Sequence, residues 1–152
     1  MNLDQYKQII ARINLHIHPS AFFNHINYNH LHICTYHYDK RHTCDSFVKL
    51  KSGKFFTVLA IFNTTATSDN CFFLLEEILV ENLTYTFTRL QNNHQIEQII
   101  TFPKHYIVNC DHTSNYIICN ISDISKNVAF FKLDTEVARQ HFDNISTYII
   151  DL

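Results

Sequence analysis

The chain has 152 residues, 46% of them hydrophobic and 17% charged, a formal charge of −2 at pH 7, 11 histidines and a single glycine. Such a composition is that of a globular chain, and the length suits one domain over residues 1–152 that buries roughly two-thirds of its unfolded surface. Glycine averages about 7% of globular sequences, so Gly53 alone excludes a P-loop, a G-x-G-x-x-G dinucleotide fold and a G-x-S-x-G nucleophile elbow.

In chain order, Leu3, Tyr6, Ile9, Ile10 and Ile13 recur at helical spacing, with Asn2 or Asp4 placed to start the turn. This predicts a short amphipathic helix over about residues 3–12. The texture then becomes β. Leu31, Ile33 and Thr35 alternate with His30, His32, Cys34 and Tyr36, which is the period of a strand. Asp45 to Leu50 and Phe55 to Phe62 read as two strands of a hairpin joined by Lys51-Ser52-Gly53-Lys54, where the one glycine supplies a positive φ. Residues 63–70 form a Thr/Ser/Asn/Asp loop, and Cys71 to Val80 is an apolar run interrupted by Glu76-Glu77. Short β segments are expected near 83–89, 95–102, 105–110, 115–121 and 127–133, and a turn or two of helix over 135–142. The fold class that follows is mainly β. We expect a small barrel-like fold of about seven to nine short strands, with a helical N-terminal segment (about 1–13), a β core (about 22–133) and a C-terminal tail (134–152).

Charge and cysteine usage narrow the partners. Lys40, Arg41, Lys49, Lys51 and Lys54 cluster, but Asp39 and Asp45 interrupt them, and the whole chain is close to neutral. That offers only weak support for nucleic acid. No basic segment followed by an apolar run opens the chain, and no apolar stretch approaches about eighteen residues, so no membrane contact is expected. Five cysteines without a C-x-x-C spacing read as reduced thiols of an intracellular protein.

Three constellations could carry chemistry. On a strand, residues i, i+2 and i+4 share one face. His30, His32 and Cys34 therefore form a candidate zinc set, with Cys44 or His42 as a fourth ligand. The triplets His18-Pro19-Ser20 and His112-Thr113-Ser114 resemble the paired H-x-[ST] motifs of two-histidine phosphoesterases. In that reading His18 and His112, with Ser20 and Ser114, supply the general acid and base for a phosphodiester. Thirdly, Tyr28, Tyr36 and Tyr38 with outward-facing phenylalanines could build an aromatic pocket for a methylated lysine.

The stretch from Phe23 through His25, Tyr28, His30 and His32 to Tyr36, followed by Lys40-Arg41 and the hairpin Asp45 to Phe62, is similar to the C-terminal β-rich domain of proteins from animal transposable elements. That domain in turn resembles the bromo-adjacent homology (BAH) module. Cys71 to Val80, Ile96 to Thr101, Tyr106 to Cys110 and Tyr116 to Ile121 follow the order of strands in such modules. The resemblance covers roughly residues 22–133. It implies a non-enzymatic interaction module for a protein or chromatin partner, nuclear in location and derived from a transposable element. Tyr36, Tyr38, Lys40, Arg41 and Lys49, where aromatic and basic side chains coincide, are then the expected contact surface. A phosphoesterase-like enzyme and a zinc-binding β-domain are the alternatives.

Overall fold

A computed structural model of the chain describes residues 2–38, 45–64, 70–132, 136 and 147–152. One helix, α1 (Leu3–Ile13), is followed by eleven strands: β1 (Pro19–Phe23), β2 (His25–Tyr28), β3 (Leu31–Cys34), β4 (Phe47–Leu50), β5 (Phe55–Thr64), β6 (Phe72–Gln91), β7 (His94–Cys110), β8 (Tyr116–Asn120), β9 (Ile124–Asn127), β10 (Ala129–Lys132) and β11 (Thr147–Ile150). The fold is mainly β with a short N-terminal helix, as expected. It is not a closed barrel. The main sheet runs β10-β11-β7-β6-β5-β4-β9, with β1 added to β5 and β8 added to β6, while β2 and β3 form a separate two-stranded sheet.

Asn2 caps α1 reciprocally: its Oδ1 accepts from the Gln5 amide at 3.0 Å, and its own amide donates to Gln5 Oε1 at 2.9 Å. Only the middle of the predicted apolar stripe is covered. Tyr6 and Ile10 are buried, whereas Leu3 and Ile13 stay exposed. The hairpin β4–β5 forms where the glycine marked it. Gly53 has φ +91°, its amide donates to the Leu50 carbonyl at 2.9 Å, and Phe47, Val48 and Lys49 pair with Thr57, Phe56 and Phe55.

β5 is buried along almost its whole length, because both of its faces are covered. Phe56, Val58 and Ile61 enter one core with Phe73 and Leu75 of β6, Val48 and Leu50 of β4, and Ile33 of β3. Ala60, Leu59 and Phe62 enter a second core with Leu74, Tyr6 and Ile10. The register shifts between Val58 and Ala60. This bulge lets Leu59 and Ala60 face the same side before alternation resumes. A third core gathers Phe47, Phe55, Ile78, Val128 and Ile149, with the Phe47 and Phe130 rings stacked at 4.0 Å.

Two expectations about the strands change. The segments expected as separate strands near 83–89, 95–102 and 105–110 are parts of two long strands, β6 of 20 residues and β7 of 17. Asn92 and Asn93, at φ 52° and 61°, make the two-residue turn between them. The expected C-terminal tail ends in a true strand, β11, which lies between β10 and β7. The helix expected over 135–142 lies outside the described residues, apart from Glu136.

The C-terminal end of the described chain is held by a buried carboxylate. Asp151 receives Lys49 Nζ at 2.5 Å on one oxygen and the Lys126 ammonium on the other, and its amide donates to the Lys104 carbonyl at 2.8 Å. Burial alone pushes the Asp151 pKa up, but hydrogen bonds from Lys126 and Lys49 outweigh it and hold the carboxyl below its ordinary range. A carboxylate depressed in the folded state stabilises above its unfolded value of about 3.9, and that contribution fades as pH falls through the lower folded value. Urea unfolding should therefore show wild-type stability dropping below about pH 4. Asp151→Asn should lose about 2 kcal/mol at pH 7 and show a shallower acid slope; equal stability of the two proteins at pH 7 would remove this role. A Cβ added at Gly53 meets nothing within 4 Å, so Gly53→Ala carries only the backbone cost of its positive φ. That cost is about 1 kcal/mol in the same measurement, and a neutral or stabilising result would contradict it.

Candidate interaction surface

β6 and β7 leave the cores together beyond Leu83. Eight residue pairs, from Thr84↔Thr101 to Gln91↔His94, form a two-stranded arm roughly 27 Å long. Over this length neither strand has a second strand partner among the described residues, since β8 pairs with β6 only at residues 72–76 and β11 with β7 only at 105–107. Both edges of the arm therefore present open rows of backbone N–H and C=O groups.

Large apolar side chains of the arm are exposed. Leu90 is 74% exposed, Ile99 67%, Tyr85 56% and Ile100 46%, and Phe102 at the base is 42% exposed. Cross-strand partners share a face, so Tyr85, Phe87, Ile96 and Ile100 line one side, where the Tyr85 and Phe87 rings stack at 6.2 Å. Thr84, Thr86, Thr88 and Thr101 line the other side with Leu90 and Ile99. Residues 84–101 carry one cation, Arg89, one anion, Glu97, and His94. Arg89 turns along its own strand, donating to Gln91 Oε1 at 3.3 Å. The protective lysine and proline that blunt natural edge strands stand only at the base, as Pro103 and Lys104.

The surface expected from the sequence is dispersed. Lys49 is engaged by Asp151 and lies over the Phe55 ring at 5.6 Å. Tyr36 is half-buried and packs edge-on against Phe47 and His112. Tyr38 is exposed and stacks on His25 at 5.3 Å, while Tyr28, also exposed, stands at the far end of β2. Lys40 and Arg41 lie outside the described residues.

The two H-x-S triplets are not brought together. Pro19 pairs with Thr64 at one end of β5, and Ser20 Oγ bonds Asn63 Oδ1 at 2.8 Å. His112 lies 3.5 Å from Glu76, which pairs with Thr57 near the other end. Seven residues of strand put these places roughly 20 Å apart. The second triplet serves the β7–β8 connection: the Ser114 amide faces Glu76 Oε1 at 3.4 Å and Thr113 Oγ1 donates to the Glu77 carbonyl at 2.9 Å. The phosphodiester reading thus has no shared cleft on which to act.

Of the zinc set, His32 and Cys34 do meet, on one face of β3. His30 does not join them. With Asn29 it forms the two-residue β2–β3 turn at φ 70°, so it has left the strand period. Cys44 and His42 lie outside the described residues. Burial raises the pKa of Cys71, and burial with nearby Asp123 pushes Cys119 up to about 12, which disfavours the thiolate at both. A concavity of about 600 Å³ between the β2–β3 sheet and the β8 end is lined by Asn27, Tyr28, Cys71, Asn120 and neighbouring residues, with no carboxylate, imidazole or amine among the described residues of its lining.

Comparison with protein-family models, with curated proteins and with solved structures finds no match.

Because the arm packs on no core cluster among the described residues, its removal should leave the fold intact. Replacing residues 85–100 by Asn-Gly is expected to shift the melting temperature by less than about 4 °C. Cooperative unfolding that disappears in the shortened chain would show instead that the arm is part of the core.

Proposed function

We propose that this chain is a non-enzymatic protein-binding module, and that its arm takes up an extended, uncharged, apolar segment of a protein partner as an added strand. The observation that carries this reading is the pair of open strand edges at residues 84–101, flanked by exposed Tyr85, Leu90, Ile99 and Ile100. An isolated two-stranded ribbon is marginal in water, and a third strand supplies both backbone hydrogen bonds and cover for one face. The near-absence of charge favours such a segment over a phosphate backbone or a strongly basic tail. A chromatin-associated partner in the nucleus is the narrower form of this proposal, and the BAH resemblance of the sequence is what supports it.

The test uses displayed random peptides of roughly ten residues, the span of the arm, panned on the full chain. Enriched peptides should be rich in β-branched and aromatic residues. Their affinity should fall at least tenfold, about 1.4 kcal/mol, on the chain with residues 85–100 replaced by Asn-Gly and on Thr86→Pro. Bound peptide should slow amide hydrogen exchange within residues 84–101. Peptides that bind the shortened chain equally well, or a predominantly Lys/Arg-rich selection, would sink the proposal. Concentration-dependent dimers abolished by shortening would replace the outside partner with a second copy.

A further inference from the structure

Independently of the arm, His32, Cys34 and Asp45 bring a nitrogen, a sulfur and an oxygen to one point, all within 4.8 Å of one another. His32 Nε2 lies 3.4 Å from Cys34 Sγ and 3.7 Å from Asp45 Oδ2. Tetrahedral zinc, with Zn–S of about 2.3 Å and Zn–N and Zn–O of about 2.0 Å, requires N···S of about 3.5 Å and N···O of about 3.3 Å. The two separations from His32 differ from these by a few tenths of an ångström, and the Cys34 sulfur and Asp45 oxygen, within 4.8 Å of each other, come to the required distance of about 3.5 Å by side-chain rotation as a cation enters.

We propose that His32, Cys34 and Asp45 form a binding site for a borderline-soft divalent cation, of which zinc is the natural occupant. The imidazole is already set for it. Across the β2–β3 pair, Asn27 sits opposite His32, and His32 Nδ1–H donates to Asn27 Oδ1. This leaves the lone pair of Nε2 directed at the sulfur and the carboxylate, the arrangement in which an outer hydrogen bond orients a ligating histidine. The backbone is held as well. The Cys34 amide donates to the Asp45 carbonyl at 3.1 Å, and Asn127 Nδ2 reaches the carbonyls of His32 at 3.1 Å and Asp45 at 3.3 Å. The three ligands thus stand on the seam between the small β2–β3 sheet and the start of β4, and a bound ion clips the two together.

Charge and chemistry agree with the geometry. Binding expels the Cys34 thiol proton to solvent, and the resulting thiolate and the Asp45 carboxylate together balance a divalent ion. A mixed N/S/O set suits zinc better than magnesium or calcium, which take oxygen donors. Three protein ligands leave the fourth tetrahedral position to solvent or to an exogenous ligand.

The full chain, equilibrated with Zn²⁺ and passed through a desalting column, should retain about one zinc per chain. X-ray absorption at the zinc edge should fit one sulfur with nitrogen and oxygen in the remaining positions. His32→Gln and Asp45→Asn should each lower zinc affinity at least tenfold with unchanged circular dichroism, whereas the double variant Cys71→Ser/Cys110→Ser should bind as wild type. Retention below about 0.2 zinc per chain, a sulfur count other than one, or affinity unmoved by His32→Gln overturns the proposal. Should a variant fail to fold, Co²⁺ titration of the wild-type chain decides. A thiolate-to-cobalt charge-transfer band saturating at one equivalent supports the site, and no such band removes it.

Discussion

The whole architecture depends on a central strand pair, β5 and the first half of β6, that is apolar on both faces. Phe56, Val58 and Ile61 point one way and Leu59, Ala60 and Phe62 the other, and Phe73 and Leu75 alternate with Leu74 alongside them. Burying each such side chain contributes about 1.5–3 kcal/mol, provided water is excluded on its side. One covering layer leaves half of that unrealised. The chain therefore lays α1 over one face and the β2–β3 sheet over the other, while β1 and β4 extend the sheet along the edge of β5. The covering elements are themselves half-buried, which explains why their own sequences carry weaker patterns than the strands they protect.

Where covering layers meet, polar groups close the seams. Asp151 joins Lys49 and Lys126 across β4, β9 and the residues after β11. Buried Glu76 is met by His112 and the Ser114 amide from the β7–β8 connection. Asn127 ties β9 to the backbone of His32 and Asp45. Several side chains that invite a functional reading in one dimension, among them Lys49, His112 and Ser114, are used in this way. Buried polar atoms need partners at about the cost of a lost hydrogen bond, so a lysine or histidine near a seam is drawn into it. The arm is the counter-case. Past Leu83 the same two strands continue with no layer over them among the described residues, and Tyr85, Leu90, Ile99 and Ile100 are exposed.

Legibility in the sequence follows the range of the forces involved. The helix 3–13 and the hairpin around Gly53 rest on spacing and on one residue's φ, both local, and both could be read directly. The length of β6 and β7 could not. Thr84 to Thr88 alternates in a way compatible with a short strand anywhere, and the Asn92-Asn93 turn is a weaker signal than an Asn-Gly pair. His32 and Cys34 were legible as i, i+2 neighbours on a strand. Asp45 was not, because it reaches them only through the docking of β4 against β3. His30 was misplaced by a turn whose positive φ values break the strand period. Shape was misread too: strands of even spacing suggest closure into a barrel, whereas β6 and β7 run on past the sheet.

By itself, then, the sequence determined the class of the fold, the two local elements with their own signals, and the exclusion of glycine-dependent phosphate-binding sites. Those properties depend on residue type and on neighbours a few positions away. Only the tertiary structure decided which apolar strands are covered and which are left as an arm, which lysines and histidines serve as seams, and which carboxylate completes the His32–Cys34 pair. Each of those is settled by contacts between residues far apart in the chain, whose strength comes from excluding water and has no short-range signature.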